Sequence, residues 1–95
     1  MNIDTIIKIL DACLYPEIQE GYDNSGPQIV FRERDITSML ISLDMDSCVF
    51  EEAVNKQCNL VVTHHPLLFN TIRRIDTGEQ GSSLLVKLID NRVSV

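Results

Sequence analysis

Ile36-Thr-Ser-Met-Leu-Ile-Ser-Leu43 and Leu60-Val-Val-Thr63, the second running straight into His64-His65-Pro66, decide the fold. Both are short apolar runs, and each reads as a buried strand. The second is rich in β-branched side chains, which suit a pleated, covered surface. The residues between them carry a different period. Val49, Phe50, Ala53 and Val54 share one face of a helix over 47–57. Asp46 or Ser47 caps its start, and Glu51 and Glu52 lie in its early turns, where the helix dipole favours acids. Asn59 sits near its end. Strand, helix and strand in this order form a βαβ unit, which joins parallel neighbours in nearly all cases. The expectation is an α/β fold: a βαβ-based sheet with flanking helices in αβα layers.

On the N-terminal side, Ile3, Ile6, Ile7, Leu10, Cys13 and Leu14 recur at helical spacing and predict an amphipathic helix over 3–14. Asn2 is placed to cap it and Pro16 to stop it. Residues 20–27 are dense in turn formers and read as a loop, Gln28 to Phe31 as a short strand, and Arg32 to Asp35 as a charged turn. On the C-terminal side, an apolar patch of Leu67, Leu68 and Phe69 leads into a polar loop over 70–81. Leu84, Leu85, Leu88 and Ile89 then predict a third helix, ended by Asp90-Asn91-Arg92. Val93-Ser-Val95 begins an alternating strand. A parallel strand only just begun reads as an interrupted domain, so residues 1–95 are expected to be the N-terminal part of a single larger α/β domain. A short edge strand is the alternative.

The chain has 95 residues, 44% hydrophobic and 23% charged, which is the composition of a folded chain and not of a disordered one. The net charge is −6, and the basic residues form no run longer than Arg73-Arg74, so this segment does not support nucleic-acid binding. Cys13, Cys48 and Cys58 are an odd number without CxxC spacing and read as small buried thiols in a reducing compartment. No apolar run approaches the roughly 20 residues that span a bilayer. Asp4, Lys8 and Asp11 interrupt the start, so no signal peptide is expected, and the cytoplasm is the default location.

Chemistry concentrates just past the second strand. In open α/β sheets, sites lie outside the carboxyl ends of strands, which is where His64 and His65 fall. Neighbouring residues on extended backbone project to opposite sides, and Pro66 favours extended backbone at His65. That arrangement suits two neighbouring metals, one per ring. The alternative is a pair of solvated loop histidines, or one histidine held in the core. Asp44, at the end of the preceding strand, reads equally as a carboxylate that orients a histidine or as a cap for the next helix. Asn24, in the turn Asp23-Asn-Ser-Gly26, reads first as bonding backbone within that turn, with a supporting position behind the metal ligands as the other reading. Ser42, Ser47 and Thr63 have no His–Asp partners that spacing can supply, and the chain carries neither GxGxxG nor a P-loop.

Three segments carry a resemblance: Tyr22-Asp-Asn-Ser-Gly-Pro-Gln28, Ile41-Ser-Leu-Asp44, and Asn59-Leu-Val-Val-Thr-His-His-Pro-Leu-Leu-Phe69. In order and spacing they resemble the dinuclear metal-centre proteins related to the yeast NGG-interacting factor, many of which are labelled GTP cyclohydrolase type 2 homologs. The resemblance implies an αβα fold, toroidal hexamers, and two divalent metal ions (zinc, iron, manganese, cobalt or nickel). It implies that the His pair, here His64 and His65, holds those ions with a later Asp and a His and Glu near the C-terminus, all beyond Val95. Tyr22 stands where the family has Trp, Pro27 where it has Leu, and Val30 where Gly is usual. The last two alter the loop backbone and the cleft wall. Two functions follow from this reading. One is metal-dependent hydrolysis of a small-molecule substrate that the sequence does not name. The other is a non-catalytic metal-binding regulatory module that acts through its oligomer.

Overall fold

The structure is a computed structural model that describes residues 1–14 and 24–95. Five elements follow in chain order: α1 (Ile3–Leu14), β1 (Met39–Ser42), α2 (Ser47–Asn55), β2 (Leu60–Thr63) and α3 (Gln80–Asp90). β1 and β2 are parallel, with Met39 beside Leu60 and Ser42 beside Thr63, and α2 connects them as the βαβ pattern requires. Beyond α3 the chain adds a parallel bridge on the other side of β2. The Ser94 N–H donates to the Asn59 carbonyl at 3.0 Å, and the Val61 N–H donates to the Ser94 carbonyl at 2.8 Å. Val93 to Val95 thus occupies the place of a third parallel strand.

Helices cover both faces because each sheet face is apolar. Leu40 and Val61 turn towards Phe50 and Ala53 of α2 and Leu84 and Leu88 of α3, with Met45, Cys58 and Val93 filling the layer. Leu60 and Val62 turn the other way, onto Ile3 and Ile6 of α1 and onto Ile36. Asn2 caps α1, its Oδ1 accepting from the Asp4 N–H at 2.7 Å. Pro16, the expected stop, lies outside the described residues. Asp46 caps α2, its Oδ1 accepting from the Val49 N–H at 2.9 Å.

Several expectations are corrected. The strand expected over 36–43 is only Met39–Ser42, because its first half has other partners. Ile36 N–H donates to the Met1 carbonyl at 2.7 Å, and Thr37 N–H donates to Asn59 Oδ1 at 3.0 Å. Nor is β1 buried on both faces: Met39 is 46%, Ile41 74% and Leu43 61% exposed, because α1 lies over β2 and leaves β1 open. Gln28 to Phe31 forms no regular strand. Two consecutive N–H groups, of Gln28 and Ile29, share the Val95 carbonyl, and Phe31 N–H bonds the Ser94 hydroxyl in place of backbone. α3 begins at Gln80, so the loop before it ends sooner than expected, and its N-cap residue Glu79 makes no side-chain capping bond. Of the cysteines, only Cys58 is buried, while Cys13 and Cys48 are exposed. Among the described residues, no helix is long and apolar enough to cross a membrane.

Candidate metal centre

The parallel register builds the site. Past the last paired residues, Ser42 and Thr63, the ladder runs on for two more bonds: His64 N–H donates to the Ser42 carbonyl at 3.2 Å and His65 N–H to the Leu43 carbonyl at 3.0 Å. One step further, Asp44 stands beside His65, and its Oδ1 lies 2.7 Å from the His65 Nδ1. Buried Met45 and the α2 cap at Asp46 follow Asp44 immediately, so its backbone is anchored on both sides. Of the two readings of Asp44, the histidine contact is the one observed, and Asp46 takes the cap.

His64 and His65 are both exposed, which removes the core-histidine alternative. Their rings do not splay to opposite sides. The backbone bends at these two residues, and the Thr63 hydroxyl donates to the His65 carbonyl at 2.7 Å, closing a local turn. The ring centroids lie 4.8 Å apart with planes at 60°. The expectation from extended backbone is corrected by that turn.

Asn24 does not bond backbone within its own turn. Its Nδ2 donates to the Leu68 carbonyl at 2.8 Å, and it touches neither histidine through a hydrogen bond among the described residues. Gln28 makes the turn-internal bonds instead, from Nε2 to the Asn24 carbonyl at 2.7 Å and to the Gly26 carbonyl at 3.0 Å, while its Oε1 accepts from the Leu68 N–H at 2.9 Å. Together Asn24 and Gln28 clamp the segment that follows His-His-Pro. Sequence reasoning missed Gln28. Its signals were its place at the end of the Tyr22–Gln28 segment and beside a Gly-Pro turn, where a side-chain amide can replace backbone partners. Tyr22 and Asp23 lie outside the described residues.

The concave surface does not coincide with the histidines. A groove of about 660 Å³ runs between the 67–74 segment and α3, floored by Met45, Leu84 and Leu85, and neither histidine lines it. The donor chemistry is the better guide. Two adjacent, solvent-facing imidazoles suit zinc, iron, cobalt, nickel or copper. Among the described residues, no group of three His, Cys, Asp or Glu could hold an ion. The pair therefore fits the histidine share of a metal centre, and the described residues do not complete one.

A βαβ unit with paired histidines after its second strand defines an α/β protein with its polar site at the carboxyl end of the parallel strands. The chain belongs to the Duf34/NIF3 (NGG1p interacting factor 3) family, whose sequence profile matches residues 1–95. It is 34% identical over 95 residues to the GTP cyclohydrolase 1 type 2 homolog of Clostridium perfringens, covering 100% of this chain and 36% of the relative. With the Campylobacter jejuni protein of the same name it shares 30% identity, covering 100% of this chain and 39% of that one. Among solved structures, a Bacillus cereus protein related to NIF3 superposes with a TM-score of 0.92 at 28% identity, over 99% of this chain and 26% of that one. Reduced HcgD from Methanocaldococcus jannaschii superposes with a TM-score of 0.88 at 25% identity, over 99% of this chain and 38% of that one. The chain thus spans between about a fifth and two fifths of the length of the curated relatives it matches.

Proposed function

We propose that this is a dinuclear metal-binding, hydrolase-like protein in which His64 and His65 each hold one of two divalent ions. The observation that carries the reading is the placement of two exposed imidazoles at the carboxyl edge of a parallel sheet, their centroids 4.8 Å apart. The assignment of one ion to each ring rests on the resemblance to dinuclear metal-centre proteins, and rings 4.8 Å apart leave room for a pair of ions about 3.5–4 Å apart. Two such ions, when bound, would supply Lewis-acid activation of a water for hydrolysis. This chain's own part is to hold the two rings side by side and to fix their backbone through the ladder bonds to Ser42 and Leu43. The remaining donors come from outside the described residues, in keeping with relatives about three times as long.

The relatives' name makes GTP the first substrate to try, followed by a panel of nucleotides and phosphoesters. Turnover by the metal-loaded full-length protein, lost in His64→Ala, supports the enzyme. Tight metal binding with no turnover across the panel supports a second reading, a non-catalytic metal-binding regulatory module, which the family's own description as an interacting factor favours. Assembly into a toroidal hexamer and residence in the cytoplasm belong to the same proposal. Sedimentation of the full-length protein tests the first, and a monomer would remove it.

A further inference from the structure

We propose that Asp44 is a positioning residue for this centre: it keeps the proton of His65 on Nδ1 and so makes Nε2 the nitrogen that meets a divalent ion. The inference rests on the reading of His65 as a metal ligand and adds the atom that binds and the group that selects it. A neutral imidazole has one N–H and one lone pair, and which nitrogen carries which is set by the partner of the other. An ionised carboxylate only accepts, so the 2.7 Å contact between Asp44 Oδ1 and His65 Nδ1 places the hydrogen on Nδ1. The lone pair is then on Nε2, at the far side of the ring from Asp44.

The two histidines differ in this respect. His65 is fixed at three points: its N–H on the Leu43 carbonyl, its carbonyl under the Thr63 hydroxyl, and its ring on Asp44. His64 has a backbone bond to Ser42 and an edge-on contact with the His65 ring, and no side-chain hydrogen bond among the described residues. Asp44 Oδ1 is already engaged by His65 Nδ1, which sets it behind the ring and not beside its free nitrogen. The side chains of His65 and Asp44 are each 57% exposed, so solvent screens the pair and its effect lies in direction more than in strength. Carboxylates behind metal-binding histidines commonly account for about 10–100-fold in metal affinity.

The test has two arms. In the metal-free protein at about pH 8, where an ordinary imidazole is neutral, long-range proton–nitrogen NMR reads which His65 nitrogen carries hydrogen. The expected result is Nδ1–H in the wild type and a shift towards Nε2–H in Asp44→Ala. Zn²⁺ titration of the full-length protein should then show affinity lower by about 10–100-fold in Asp44→Ala. Nε2–H on wild-type His65 overturns the inference even if the metal binds normally, and so does unchanged affinity in Asp44→Ala. A wild-type protein that takes up no Zn²⁺ while His65 carries Nδ1–H overturns the metal reading itself, and with it the role of Asp44. The wild-type tautomer needs no variant, so a poorly folding mutant does not blunt the test.

Discussion

Asn59 is 8% exposed, and both ends of its amide are used. Oδ1 accepts from the Thr37 N–H at 3.0 Å and from the Thr37 hydroxyl at 3.4 Å, while Nδ2 donates to the Asp35 carbonyl at 2.8 Å. This one side chain moors the segment before β1 to the start of β2. Asn59→Ala should destabilise the chain by about 1–3 kcal/mol, the cost of removing a buried amide and leaving two part-buried backbone groups without their partner. Denaturant unfolding checks it, and a loss within the range of an ordinary surface change would remove that role. Sequence reading singled out His64 and His65 as candidates, because a polar pair directly after a buried strand breaks the pattern, and the structure places both exposed at the end of β2. It offered Asp44 in two readings; the structure gives the cap to Asp46 and sets Asp44 against His65. It did not reach Gln28 or the mooring by Asn59. Their partners, Leu68 and the Asp35–Thr37 segment, are 40, 24 and 22 residues away, and no local period encodes a contact at that range.

At the scale of elements, α1, α2, β2 and the parallel pairing were legible, since each carries its own hydrophobic period and the crossover rule supplies the rest. The ends of β1 and the irregular Gln28–Phe31 stretch were not, because tertiary partners set them: Met1 and Asn59 in one case, Ser94 and Val95 in the other. The packing makes a paired prediction for the 95-residue chain. Leu88 on α3 is fully buried against the α2 side of the sheet, so Leu88→Ala should cost about 2–5 kcal/mol. Ile41 is 74% exposed on β1, so Ile41→Ser should change stability by no more than about 0.5 kcal/mol. Equal losses at the two positions, measured by thermal unfolding, would mean that the outer face of β1 is covered.

At the scale of the whole molecule, the chain has a layered α/β core with two histidines at the carboxyl end of its parallel strands, and it covers 36% of the Clostridium perfringens relative. Protein zinc sites supply three or four ligands, so residues 1–95 alone should bind Zn²⁺ weakly or not at all by calorimetry. A tight, stoichiometric, His64-dependent site in these residues would show that no further donors are needed. Both rings face solvent, so their removal leaves no apolar cavity, and His64→Ala and His65→Ala should alter the metal-free melting curve little. Losing bound metal lowers the melting temperature only through binding linkage, which vanishes in metal-free buffer. The most direct measurement is metal per chain by elemental analysis of the full-length protein, beside that of His64→Ala and His65→Ala. The account predicts two ions per chain in the wild type and a clear loss in each variant, with metal-free melting unchanged; variants that keep the full complement would contradict it.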